Sequence, residues 1–418
     1  MKKYVVRCLG CSSECDQHAI TCPSDPHFLR AEYSAIRLTP RDLPGMWKFL
    51  DWLPTNDIIP ALNGRSVTYR SEGFASEVGI KHLFVSFNGY WPDKNALFHT
   101  CSFKELEAAP TVERLIEKGK EDILVVASAG NTGRAFAHAC SVTRRPLALV
   151  VPATAMNKIW LPGEGSRHET ICTIAVDGDY TDAIVLAEQL ACLEGFVPEG
   201  GARNIARRDG MGTVMLEAAL TIGRIPDRYV QAVGSATGAI AAWEASMRLI
   251  RDGRFGSAMP VLDLAQNLPC APILAALKDA VIDPACPKGM YDEVLFNRRP
   301  PITQKGGVID ALKSTHGSVQ GITNDEAERA RRLFERAEGV DVMPAAAIAV
   351  AALVKSAESG SVGPEDVVLL NITGGGERLL RAERGVTQLH FDLKVKKAGA
   401  DVKALASDVQ RELRRCAA

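Results

Sequence analysis

Lys104 stands in Thr100-Cys101-Ser102-Phe103-Lys104-Glu105-Leu106-Glu107, a stretch that reads as the start of a helix. The positive end of a helix dipole opposes a cation at that position and lowers its pKa. An amine that is neutral near pH 7 is a carbonyl nucleophile and a base. Most lysines are plain surface residues, so Lys104 alone defines no site. Two loops offer anion chemistry. Gly234-Ser235-Ala236-Thr237-Gly238 lies between a strand and a helix, where free N–H groups and small residues make a phosphate cradle and Ser235 and Thr237 add hydroxyls. Its glycine spacing fits neither a dinucleotide fingerprint nor a P-loop, so a monophosphate suits it better. Ser128-Ala129-Gly130-Asn131-Thr132-Gly133 also follows a strand and opens a helix. Its amides and the Ser128 and Thr132 hydroxyls suit a second anion such as a carboxylate, although Asn131 is equally at home in a plain turn. Arg203, Asn204, Arg207 and Arg208 lie just before a helix expected at Thr213–Ile222, and arginine forks match phosphate or sulfonate oxygens.

The elements needed to position these residues are those of an α/β protein. From about residue 120, β-branched runs alternate with helical patterns: Asp122–Ser128, then a helix over Arg134–Thr143, then Pro146–Val151. Ile171–Val176 leads through Asp177–Asp179 into a helix over Thr181–Leu193, with Asp179 or Thr181 near its cap. Val230–Val233 runs into the Gly234 loop, and Val367–Ile372 ends in Thr373-Gly374-Gly375-Gly376. Ligands of open α/β sheets sit at the carboxyl ends of strands, so these loops are expected to converge. The expected division is an N-terminal segment 1–95 belonging mainly to the large domain, a smaller α/β domain 96–205, a large domain 206–390 and a helical tail 391–418. The tail carries the stripe Leu393, Val395, Val402, Leu405, Val409 and Leu413, which suits packing or an oligomer contact as well as a solvated helix.

A chain of 418 residues with 46% apolar side chains supports two domains. The formal charge of −1 gives no reason to expect nucleic acid or an anionic membrane as partner. No apolar run reaches the roughly 20 residues of a membrane span, and the start lacks a secretory core, so a cytoplasmic protein is expected. Eleven cysteines in mostly apolar stretches suit reduced thiols. Cys8 and Cys11 have metal-ligand spacing, with Cys15 and Cys22 nearby, but no second closely spaced pair follows Cys22. Free thiols, with no metal, are therefore the expectation.

The motifs occur in the order found in one family. Ser102-Phe103-Lys104, the Ser-x-Gly-Asn-Thr pattern at Ser128–Thr132, the Gly234–Gly238 loop and Thr373 together resemble the fold-type II pyridoxal-phosphate enzymes, the group of tryptophan synthase β-chain, cysteine synthase and threonine synthase. The resemblance implies two open-sheet α/β domains with pyridoxal 5'-phosphate between them, and a homo-oligomer. It implies that Lys104 holds the cofactor as a Schiff base and moves the substrate's α-proton. It also implies that Asn131 meets the ring hydroxyl, that Gly234, Ser235, Ala236, Thr237 and Gly238 cup the phosphate, and that Thr373 meets the pyridine nitrogen. A neutral hydroxyl there makes the ring a weaker electron sink and favours loss of a β-leaving group over transamination. Ser128, Gly130 and Thr132 are expected at the substrate. Asn204 and Arg207 match the Asn and Arg of a phosphate-contacting Asn-Pro-x-Arg element, with Ile205 in place of proline, and Arg203 and Arg208 join them as candidates. At closer range, Phe87–Pro92, Thr100–Ala108, Ala127–Ala137, Val197–Met215 and Gln231–Ala245 resemble the branch that converts O-phospho-L-serine and sulfite into L-cysteate and phosphate, on the methanogen route to coenzyme M. Residue types alone leave threonine synthase chemistry on O-phosphohomoserine, a phosphoserine sulfhydrylase and a non-catalytic amino-acid sensor open.

Overall fold

Ile123–Ala127 is buried along its whole length because it is covered on both sides: Ile123, Val125 and Ala127 face one cluster, Leu124 and Val126 another. That period-two division is the mark of a parallel strand between two helical layers. The computed structural model describes residues 2–166, 168–278, 289–298, 300–396 and 401–417. In it this strand belongs to a five-stranded parallel sheet ordered Phe196–Pro198, Ile123–Ala127, Leu147–Pro152, Ile171–Asp177 and Leu393–Lys396. One face packs on helices Lys104–Glu117 and Asn131–Thr143, the other on Tyr180–Ala191 and Val402–Ala417. Asp179 caps Tyr180–Ala191, accepting from the N–H of Asp182 while the Asp182 carboxylate accepts from the N–H of Asp179.

A second, six-stranded sheet runs Ser318–Ile322, Val261–Asn267, Arg228–Ala232, Val367–Ile372, His82–Phe87 and Val67–Arg70, parallel except for the last strand. Val67–Arg70 and His82–Phe87, both before residue 95, are thus part of the larger sheet. A separate antiparallel sheet forms at the start of the chain, with Tyr4–Cys8 between Glu14–Cys15 and Leu29–Tyr33.

Three expectations need correction. The tail is not purely helical: Leu393 and Val395 lie on an edge strand of the smaller sheet, and the other four stripe residues lie on a helix over the same apolar cluster. The helix expected at Thr213–Ile222 begins at Ile205, so Arg207 and Arg208 lie inside its first turns. Helix Asn131–Thr143 likewise starts one turn early, at Asn131 itself.

Candidate active site

The two sheets meet where the chain enters the helix carrying Lys104. Ser102 bridges Gly374, and the Phe103 N–H donates to the Thr373 carbonyl at 3.1 Å. Thr373, at the end of Val367–Ile372, is therefore joined to the residue before Lys104. From the other side comes the Gly234–Gly238 loop. A Cβ added to Gly238 would lie 2.8 Å from the Gln231 side chain and 2.9 Å from the Phe103 ring, so the loop lies against Phe103 only because residue 238 is glycine. Ala236 adopts φ 61° and Ser235 Oγ lies 2.8 Å from Thr237 Oγ1. Among the described residues nothing accepts a hydrogen bond from the N–H groups of Ser235, Ala236 or Thr237, which open helix Thr237–Asp252. Unpartnered N–H groups at a helix start are an anion cradle.

The Lys104 ammonium lies 3.3 Å from Glu107 Oε2, one helical turn on, and 19% of its side chain is exposed. Burial pushes the Lys104 pKa below its ordinary value, and nearby Arg207 adds to this against the pull of Glu107. Glu107, fully buried, also accepts from Arg207 Nη2 at 2.7 Å and from Thr132 Oγ1 at 3.2 Å. Burial would raise its carboxyl, but Arg207 and Lys104 outweigh that and hold it below the usual carboxylate range. The second arm of Arg207 pairs with Glu199. Thr132 and Glu107 thus bring the Asn131 loop to Lys104.

Helix packing explains how Glu107 and Arg207 meet. Pro110 has no N–H, so the Leu106 carbonyl four residues earlier lacks its helical donor. A Cβ on Gly210 would sit on that same Leu106 oxygen. Glycine therefore lets helix Ile205–Ile222 press against Lys104–Glu117 at the point where Arg207 reaches Glu107.

The remaining expected site residues divide. Ser128 Oγ accepts from the Gly130 and Gly133 N–H groups at 3.0 and 2.7 Å, so it shapes the turn. Asn131 Oδ1 accepts from Arg134. Among the described residues the Asn131 and Thr132 N–H groups have no acceptor. Arg208 is fully engaged elsewhere: it pairs with buried Glu244 and donates to the carbonyls of Leu29, Ala202 and Arg203. It locks the N-terminal sheet to its helix, which corrects its expected place at the substrate. Asn204 caps the helix, its Oδ1 accepting from the Ala206 N–H at 2.9 Å, and its amide donates to the Glu199 carbonyl. Arg203 is exposed. Of that quartet only Arg207 reaches the Lys104 cluster.

Glu107 is the residue missed by reading motifs alone, although its i+3 spacing from Lys104 was a visible signal. The turn Glu293–Leu295 was missed too. Val294 Cγ1 would lie 2.7 Å from a Cβ on Gly130 and the Leu295 carbonyl 3.1 Å from one on Gly234, so this turn spans both loops. Asp292 anchors it to Lys158 Nζ at 3.0 Å and to the Ala345 N–H.

An amine of lowered pKa, a neutral hydroxyl residue and a cradle of free N–H groups therefore meet at one place. That donor set fits pyridoxal phosphate. Residues 70–374 match the family described as pyridoxal-phosphate dependent enzyme. A curated cysteate synthase of Methanococcoides burtonii is 53% identical over 393 residues, covering 94% of each chain. One from Methanothrix thermoacetophila is 50% identical over 94% of this chain and 96% of its own. Among solved structures, a pyridoxal 5'-phosphate-dependent aspartate racemase superposes with TM-score 0.57 at 16% identity, covering 75% of this chain and 90% of its own. The serine racemase of Dictyostelium discoideum gives 0.53 at 17%, covering 74% and 93%. At such identities the racemases speak for the fold alone. The site geometry, the matched span and the closely similar sequences lead to one conclusion: the chain belongs to the pyridoxal-phosphate dependent enzyme family, beside its cysteate synthases.

Proposed function

We propose that the protein converts O-phospho-L-serine and sulfite into L-cysteate and phosphate. The observation that carries this reading is identity of about one residue in two with chains named cysteate synthase, spread over 94% of this one. Bound pyridoxal phosphate supplies an electron sink for the substrate's α-carbon and a covalent anchor for amines. The chain's own residues do the rest. Lys104 Nζ takes the α-proton, the Cβ–O bond breaks with its electron pair leaving on phosphate, the sulfite sulfur forms the new C–S bond, and Lys104 returns a proton to the α-carbon. The Gly234–Gly238 N–H groups would hold the cofactor phosphate, and Asn131 and Thr373 would contact its ring. The N–H groups of Asn131 and Thr132, at a helix start, bind the substrate carboxylate. Arg207 acts through Glu107, which it keeps charged beside Lys104.

Purified protein given phosphoserine and sulfite is expected to form cysteate, read by mass, with one phosphate released per product. Phosphohomoserine alone, or phosphoserine with sulfide, is expected to release far less phosphate. Faster turnover in either of those arms sinks the reading. Lys104→Ala is expected to lose about 10²-fold or more of the cysteate rate, together with the borohydride-reducible chromophore.

A further inference from the structure

We infer that Cys8, Cys11, Cys15 and Cys22 form a zinc site at the tip of the N-terminal sheet. The sulfurs of Cys8, Cys11 and Cys22 all lie within 4.8 Å of one another. Cys11 Sγ and Cys22 Sγ are 3.7 Å apart. Zinc–thiolate bonds of about 2.3 Å in a tetrahedron place sulfurs about 3.8 Å apart, whereas a disulfide requires about 2.05 Å. The spacing between these two is therefore that of ligands sharing a metal.

The backbone around the cluster folds back in a tight turn that brings the cysteines together. Ser12, at φ 62°, closes the turn, its N–H donating to the Cys8 carbonyl at 3.0 Å while the Cys8 N–H donates to Ser13. The fourth ligand comes from the pairing strand. Cys15 lies directly opposite Val6, so it shares a face with Val6 and with Cys8 two residues on. The motif is thus one Cys-x-x-Cys pair completed by two cysteines from separate segments, which is why no second pair is found in the sequence.

A metal has structural work to do here. Residues 11–14 are exposed, so this end of the sheet has little apolar cover. The opposite strand holds the Arg207 helix: Leu29 accepts from Arg208, Tyr33 OH donates to Asp209 at 2.6 Å, and Arg30 shares with Arg208 the Glu244 of the neighbouring helix. Cross-linking the tip stiffens the sheet on which the Arg207 helix rests.

The test is metal analysis of the full-length holoenzyme purified with reductant and without chelator. One equivalent of zinc per chain is expected. The Cys11→Ser/Cys22→Ser double variant is expected to fall below about a tenth of that, with the cofactor chromophore and far-ultraviolet dichroism reporting a retained fold. In the wild-type protein, exchange with cobalt is expected to give the visible bands of a tetrahedral thiolate site, so the assignment stands or falls even if the variant fails to fold. Zinc absent after anaerobic reconstitution, iron in its place, or zinc fully retained by the folded double variant overturns it.

Discussion

Arg207 shows how an expected role changes once its partners are visible. An arginine near a phosphate-using site suggests direct substrate contact, but both arms of this one are committed to Glu107 and Glu199. Removing its charge leaves Glu107 opposed by Lys104 alone, which stabilises the ammonium and raises the Lys104 pKa. Arg207→Ala is therefore expected to move the acid limb of the kcat–pH profile to higher pH, because more hydroxide is then needed to free the base. A raised KM for phosphoserine with an unmoved profile would return Arg207 to the substrate. The same neighbourhood contains a residue with a readable stability signature. Burial pushes the His138 pKa down to about 4, with Glu105 opposing and the stacked ring of His99 assisting. Below about pH 6.5 the unfolded chain binds a proton that folded His138 refuses until about pH 4. Across that window the wild-type protein loses stability attributable to this group, on the order of 3 kcal/mol at most. His99, raised by the Glu105 carboxylate 3.6 Å from its Nδ1, works with the opposite sign. The useful measurement is thus the difference between urea midpoints of wild type and His138→Gln, which should shift in favour of the variant from pH 6.5 to 4. A constant difference would contradict the assignment.

At the scale of elements, motif residues were readable because backbone geometry restricts residue type. Glycines and small hydroxyl residues between a strand and a helix announce an anion loop, and the strand ends of residues 123–127, 228–232 and 367–372 fall where the β-branched runs place them. The arginine segment was less readable. Cations at a helix start look unfavourable, but here buried Glu107 and Glu244 and half-buried Glu199 neutralise them from other elements. Partners so distant in sequence leave no local pattern. The Pro110–Gly210 contact is of the same kind, since neither residue signals the other. Gly210→Ala should separate the two helices, costing about 1–3 kcal/mol or more as overpacking does. Because it also pulls Arg207 from Glu107, it is expected to reproduce the pH shift of Arg207→Ala. A lowered melting temperature with an unchanged profile would detach the helix contact from the chemistry.

Over the whole molecule, periodicity revealed which residues of the tail are apolar but not what they cover. Leu393, Val395, Val402, Leu405, Val409 and Leu413 all pack on one cluster with Ile174, Leu186 and Leu190. The edge strand within them went unread because four residues between charged neighbours resemble the helix that follows. The stripe suited an oligomer contact equally well by pattern, and the two roles predict different outcomes. Val409 is fully buried against its own chain, so Val409→Asp places an unpaired carboxylate in an apolar layer, at a cost of several kcal/mol. The smaller sheet should then melt at a temperature lower by several degrees or more. The mass measured by light scattering should stay unchanged wherever the fold persists. Dissociation of subunits with an unaltered melting temperature would instead make this helix an interface, and would mean that the apolar layer over Ile171–Asp177 is completed by a second copy.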